Sequence, residues 1–151
     1  MEKRNPFELL RAEHGASLVE LAILLPLFLL LIFGAVDFGR LFYLETEIAG
    51  AAHSAVTYGS QNPTDTSGMQ NAAQDDAPNV PNLSVGAPTY GCECSDGTSY
   101  VASCLPAPPT CATNVVYRVN VTVTSTYAPL FPWPGIPSSF PLSSSAAMRG
   151  Q

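Results

Sequence analysis

The sequence predicts an α+β fold in which a long amino-terminal transmembrane helix packs against a small antiparallel sheet with disulfide-stapled loops. Three observations predict this fold: an apolar run over residues 16–36, a two-residue alternation over residues 114–127, and four cysteines between residues 92 and 111. The chain has 151 residues, so one small domain beside one long helix accounts for its length.

The apolar run is long enough to cross a bilayer. Residues 16–36 carry a single charged side chain, that of Glu20, and as a helix they span about 31 Å, which matches a hydrocarbon core of about 30 Å. The favourable free energy of inserting many Leu, Ile, Phe and Val side chains into the membrane is larger than the cost of inserting one acid near the helix end. Because Lys3, Arg4 and Arg11 precede the run, we expect a cytoplasmic amino terminus and an exported remainder.

A cleaved secretory signal is the alternative interpretation of this run. Such a signal has an apolar stretch of about 7–15 residues, followed promptly by a pair of small residues at the cleavage site. Here the uncharged stretch covers residues 21–36, and the first suitable triplet is Ala49-Gly50-Ala51, well beyond it. The pattern therefore favours an anchor over a conventional signal peptide.

A glycine precedes the apolar run and an acid lies within it. Residues 14–20 read HGASLVE, which resembles the processing site of type IV prepilins and pseudopilins, where a membrane peptidase cuts after the glycine. The resemblance implies that Gly15 ends a leader of residues 1–15 and that Ala16 becomes the new amino terminus. A carboxylate in a membrane needs a positive partner, and Glu20 could pair with the Ala16 amine of a neighbouring subunit and so set axial register. The alternative is that Glu20 only reaches toward the head groups.

The following residues make the resemblance more specific. The segment from Gly15 to Gly59 is similar to the TadE/TadG-like minor pseudopilins of the tight-adherence (Tad) pilus, which share a Gly-Ala-x-x-Val-Glu start, an early proline, a Phe-Gly-Arg step and an alanine-rich continuation. Pro26 and Phe38-Gly39-Arg40 match two of these features, and residues 127–132 and 145–149 resemble the closing segment of the family. Leu21 stands where major Tad pilins commonly carry an aromatic residue, which favours a minor component.

The resemblance implies a structural role rather than an enzymatic one, and no cofactor. It implies a minor pseudopilin of a Tad-type (type IVc) pilus that is processed by a prepilin peptidase and supports pilus biogenesis and surface adhesion. The implied partners are that peptidase, other pilin and pseudopilin subunits, the assembly platform and the lipid bilayer of the bacterial cytoplasmic membrane. The alternative is an uncleaved single-pass anchor whose exported domain binds a ligand or the cell wall through the Trp133 loop and the cysteine-rich region.

We expect the helix to continue beyond the membrane and the rest of the chain to form a small exported domain. An apolar stripe at three- and four-residue spacing predicts a helical continuation over residues 37–58, formed by Leu41, Leu44, Ile48, Ala52, Ala55 and Val56. Residues 59–151 then form the exported α+β domain, and the whole resembles a pilin architecture. In this domain Ser67 is predicted to cap a short helix that ends at Asp76 and buries Met69, Ala72 and Ala73.

Alternating side chains predict one clear strand in the exported domain. Residues 114–127 place Val115, Tyr117, Val119, Val121 and Val123 on one face. Residues 83–87 and 99–104 are weaker strand candidates. The prolines and glycines between residues 78 and 91 predict loops or a short edge strand, and proline-rich loops are expected to lead to the tail.

The cysteines predict two disulfides. Cys92, Cys94, Cys104 and Cys111 form an even set in a region predicted to be exported. A bridge between Cys92 and Cys94 would close a very tight ring, so two pairings remain: Cys92–Cys104 with Cys94–Cys111, or Cys92–Cys111 with Cys94–Cys104. A zinc site is disfavoured because Cys-x-Cys is not the usual ligand step and no histidine accompanies it.

Other chemistries find little support in the composition. A net charge of −6 argues against nucleic-acid binding, which needs a basic surface. The two histidines are His14 and His53, and no Gly-x-Ser-x-Gly motif occurs. We expect His53 to be a packed or surface residue and the pair Asp75-Asp76 to be solvated, so no metal site and no catalytic site are predicted.

Overall fold

The computed structural model describes the backbone of residues 6–104 and 108–150, and side chains over residues 17–104 and 108–150. The chain divides into two compact units at the Gly39–Arg40 bond. Residues 1–5 of the predicted leader lie outside the described residues.

Helix α1 runs from Pro6 to Gln61 and contains Pro26. It starts earlier than the predicted Ser17, since residues 6–16 are also helical, and proline is well tolerated in a first helical turn because its missing N–H has no intrahelical partner there. At the other end it continues three residues past the predicted Tyr58. The prediction of one long helix is therefore confirmed.

Helix α2 runs from Thr66 to Asp76, and its cap differs from the prediction. Asp65, not Ser67, is the N-cap: its Oδ1 accepts a hydrogen bond from the backbone N–H of Gly68 at 2.9 Å. The Tyr58 hydroxyl donates to Oδ2 of the same carboxylate at 2.7 Å. These hydrogen bonds, the backbone one first, lower the pKa of Asp65. Met69 and Ala73 are buried as predicted, whereas Ala72 is only half-buried.

Five antiparallel strands form one sheet around a central strand. β4 (Val115–Tyr127) pairs along one edge with β1 (Ser84–Val85) and β2 (Thr89–Cys94), and along the other with β5 (Phe140–Gly150). β3 (Tyr100–Val101) pairs with the outer edge of β2. β4 occupies the predicted range within one residue, while the two weaker candidates shrink to the two-residue strands β1 and β3.

Two strands are longer or more central than the sequence predicted. Loop or short edge-strand structure was expected around β2, but all six of its residues pair with β4, and β3 pairs with its other edge. β5 was predicted as a tail after proline-rich loops, but eleven residues pair with β4, from Tyr127↔Phe140 to Tyr117↔Gly150. Phe140, Leu142, Ala146 and Met148 alternate with more exposed residues and pack against the core. Ser144 interrupts this apolar row, so the row is less clear in the sequence than that of β4.

The core lies between the second half of α1 and the sheet. The predicted helix stripe is buried at Leu44, Ile48, Ala52, Ala55 and Val56, with Leu41 at its margin. Small residues on this stripe let the helix approach the valines of β4 closely. The approach is close at Gly59, where a Cβ would come within 2.9 Å of the Val119 Cγ1 atom.

The buried face of β4 begins later than predicted. Val119, Val121 and Val123 are buried, but Val115 and Tyr117 are 42% and 41% exposed. α1 ends two residues after Gly59, which lies against Val119. The start of β4 therefore extends beyond the part of the sheet that the helix covers.

Replacing Ile48, which is fully buried, by alanine should lower the free energy of unfolding by about 2–5 kcal/mol, because the helix–sheet core loses contacts and gains a cavity. Urea unfolding of the full chain in mild detergent, followed by near-ultraviolet circular dichroism, measures this. The matched control is Phe42→Ala, which truncates a larger side chain that is 61% exposed and should change the free energy by no more than about 0.5 kcal/mol. Equal losses for both variants would contradict the assigned core.

Candidate membrane-anchoring and assembly segment

The large apolar side chains of α1 before residue 37 lie on the surface. Leu18, Ile23 and Phe28 are 66%, 72% and 56% exposed, and the other large apolar residues between 17 and 36 are exposed as well. In the described part of the chain, the helical segment Ser17–Gln61 is long and apolar enough to cross a membrane, and its most apolar window has no buried residue. Soluble proteins rarely expose so large an apolar surface. The exposed apolar surface of residues 17–36 is of the kind expected at a membrane or a protein–protein interface.

Glu20 is the one charged residue in this apolar surface. Its side chain is exposed, and the salt bridges within residues 17–104 and 108–150 are both formed by another acid, Glu93. Glu20 is therefore available to a positive group outside the described residues. Ala16 precedes it by four residues, which is one turn of α1.

The predicted cleavage junction lies in helical backbone. Gly15 and Ala16 both belong to α1, and their side-chain surroundings lie outside the described residues. Peptidases act on extended substrates, so cleavage after Gly15 needs local unwinding of this turn. Glycine lowers the free energy of that unwinding by about 1 kcal/mol relative to alanine. Whether Gly15 and Ala16 form a cleavage junction stays a prediction.

The four cysteines form the first of the two predicted pairings. Cys92 is bonded to Cys104 and Cys94 to Cys111, with Cα–Cα distances of 5.2 and 5.4 Å. Cys92 and Cys94 lie opposite Tyr117 and Val115 of β4, so they share the sheet face on which α1 packs, beyond the end of the helix. Both are buried. The disulfides thus lie beside the part of the sheet that the helix leaves uncovered, and each bridge stabilises the fold by about 2–4 kcal/mol.

A buried acid on the opposite face ties β2, β4 and β5 together. The Glu93 side chain is 3% exposed; its Oε2 accepts a hydrogen bond from Arg118 Nη1 at 3.1 Å and its Oε1 accepts one from Arg149 Nε. Arg149 Nη1 also donates to the carbonyl oxygen of Ser95 at 3.3 Å. Burial raises the pKa of Glu93, but the hydrogen bonds and charges of Arg149 and Arg118 lower it by more, so its pKa lies below the ordinary value.

This cluster was not predicted from the sequence, because no local signal marks it. Arg118 and Arg149 are 25 and 56 residues from Glu93 along the chain. They meet because β4 pairs with β2 on one edge and with β5 on the other, which places the three side chains on one face. Since the pairing of β5 was not predicted, neither was the partner that it contributes.

The remaining sequence candidates do not converge on a site. His53 is exposed, as are Asp75 and Asp76. Over residues 17–104 and 108–150, no three His, Cys, Asp or Glu side chains are grouped so that they could hold a metal ion.

One family model matches part of the chain. Residues 15–57 match the family model described as TadE-like protein. The match begins at the glycine of the predicted junction and continues past the apolar run into the half of α1 that packs on the sheet. No curated protein and no solved structure matches the chain significantly.

Glu93 gives the fold a defined acid sensitivity. Because its folded-state pKa lies below the unfolded value of about 4.5, its contribution to stability is complete above that pH and is lost as the pH falls through the folded-state pKa. Thermal unfolding of the full chain in detergent should therefore show a melting temperature that drops as the pH is lowered from 6 toward about 3.

Glu93→Gln is the test variant for this sensitivity. At pH 7 its free energy of unfolding should be lower than that of the wild type by about 1.5–3 kcal/mol, because the two arginines then face a neutral acceptor. Its melting temperature should fall less steeply with acid than that of the wild type. Parallel pH profiles for the two proteins would contradict the assignment.

Proposed function

We propose that this chain, which is TadE-like over residues 15–57, is a minor pseudopilin of a Tad-type pilus. It is a structural and assembly component that supports pilus biogenesis and surface adhesion. The observation that carries the proposal is the exposed apolar surface of residues 17–36, interrupted by one acid and preceded by a glycine in the family position.

The exposed apolar surface allows the same helix to occupy two environments in succession, first the membrane and then an assembly of subunits. In the membrane, residues 16–36 span the hydrocarbon core, with residues 1–15 in the cytoplasm and residues 59–151 exported. In an assembly, the same side chains pack against helices of neighbouring pilin and pseudopilin subunits. Residues 37–58 continue the helix outside the membrane and join it to the exported domain.

Glu20 supports a defined register between subunits. An acid held away from water is stable only beside a positive group. Cleavage after Gly15 by a prepilin peptidase creates an α-amino group on Ala16, at the depth of Glu20 in the next subunit when the helices are offset by about one turn. Pairing of the two groups fixes the offset, because any other offset leaves a carboxylate in an apolar environment.

Processing after Gly15 is the first test. Co-expression of the chain with a prepilin peptidase should shorten it by residues 1–15, so that mass spectrometry of the purified protein finds Ala16 at the amino terminus. Gly15→Leu is the control: a bulky helix-forming residue raises the free energy of unwinding this turn and should leave the chain intact. An intact Met1 in the wild type, with active peptidase present, would favour the uncleaved anchor.

Incorporation into pili tests Glu20 separately. Glu20→Ala should still be cleaved after Gly15 but should appear in sheared pili at least about tenfold less, since the register pair is lost. Glu45→Ala is the matched control, because Glu45 is an exposed acid on the part of α1 that packs on the sheet. Immunoblots of sheared filaments and of membranes measure both. Normal incorporation of Glu20→Ala would contradict the register role.

A further inference from the structure

The loop between β4 and β5 is apolar, rigid and uncharged. It covers residues 128–139 and reads APLFPWPGIPSS, with four prolines and no charged residue. The Tyr127↔Phe140 pair closes it. Leu130 and Ile136 are 54% and 49% exposed, and Phe131 and Trp133 are half-buried.

A tight turn holds the tip of this loop in place. The backbone N–H of Ile136 donates to the carbonyl oxygen of Trp133 at 3.1 Å. Gly135 has a φ of +80°, and Pro134 occupies the preceding position, as in a type II turn. The tip is therefore a preformed structure that presents apolar side chains without further ordering.

Two contacts within the Arg40–Gln151 unit locate the loop. The Arg40 guanidinium carbon lies 5.9 Å from the centre of the Tyr127 ring, and Gly59 lies against Val119. The helix covers about 28 Å from Arg40 to Gly59, and β4 covers about 26 Å from Val119 to Tyr127. The two elements run side by side in opposite directions, so the loop lies at the end of the unit that contains Arg40.

That end is tethered to the apolar segment by very few residues. Arg40 follows Val36, the last residue of the predicted span, by four positions. Even a fully extended chain of that length reaches only about 14 Å, and the head-group layer on each side of the hydrocarbon core is about 5–8 Å thick. When residues 16–36 span a bilayer, Arg40 therefore lies within about 14 Å of the hydrocarbon core, and the loop begins beside Arg40 at Tyr127.

We infer that residues 128–139 insert into the head-group layer of the bilayer from the exported side, with Trp133 at the interface and Leu130 and Ile136 toward the acyl chains. The inference rests on the proposed membrane-anchored state. Tryptophan favours this layer because its ring is apolar and its N–H is polar. The loop has no acid to be repelled by anionic lipids, and Arg40 beside Tyr127 adds a cation. The loop thereby holds the exported domain at one depth until the subunit leaves the membrane.

Trp133 is itself the probe, since the chain contains one tryptophan. The full chain is reconstituted into phosphatidylethanolamine–phosphatidylglycerol vesicles that contain doxyl-labelled phosphatidylcholine. Labels near the head group should quench Trp133 at least about twofold more strongly than a label at the acyl-chain end, because the residue lies at the interface.

Two matched comparisons make the measurement specific. The double variant Trp133→Phe/Tyr100→Trp moves the tryptophan to an exposed position on β3. Quenching of its fluorescence by the lipid labels should disappear, and quenching by aqueous iodide should rise. Ile136→Asp keeps Trp133 but adds a charge to the exposed tip, and should reduce lipid quenching to the level of the relocated tryptophan. Ile136→Leu should leave it unchanged.

Flotation of the same vesicles shows whether a negative result concerns the loop alone or the membrane anchoring of the whole chain. If the chain floats but Trp133 is quenched no more than the relocated tryptophan, the loop inference is wrong while membrane anchoring stands. If the chain does not float, both fail. If lipid quenching is absent and the emission of Trp133 depends on the protein-to-lipid ratio, the loop binds a second copy of the chain, which also overturns the inference.

Discussion

The close packing of α1 on β4 is the contact on which the rest of the structure depends. Alanines at positions 51, 52 and 55 and the glycine at position 59 bring the helix against the valines of β4. β4 in turn pairs with three of the other four strands. A bulkier helix face would separate the two layers and leave the strands without a buried side, because two-residue strands such as β1 and β3 cannot bury enough apolar surface by themselves.

The two ends of the Arg40–Gln151 unit are held in place by different interactions. Beyond the end of the helix, the sheet has no helical cover, and two disulfides with the Glu93 cluster hold its strands and loops in place. At the end that contains Arg40, prolines and a tight turn hold an apolar loop in an exposed position. Covalent bonds and ion pairs therefore stabilise the first end. The second presents apolar side chains, which is expected only where water is scarce.

The family match crosses the boundary between the two units and ends before most of the Arg40–Gln151 unit. The family match covers residues 15–57, which is the apolar segment and the part of α1 that enters the core. The sheet, the disulfides and the β4–β5 loop lie outside it. The proposed role in adhesion therefore depends on parts of the chain that the family match does not cover.

The sequence by itself determined the elements whose side chains repeat with a clear period: the apolar helix, its stripe from Leu41 to Val56, and strand β4. It also determined that the cysteines form two disulfides, but left two pairings open. Only the tertiary structure decided between them, since spacing does not say which of Cys104 and Cys111, both between β3 and β4, lies next to Cys92. It also decided that Asp65 caps α2, because several neighbouring side chains could do so. The Glu93 cluster joins residues that are 25 and 56 positions apart, and such contacts leave no local pattern in the sequence. β5 has an apolar row, but Ser144 interrupts it, and its pairing with β4 was seen only in the structure.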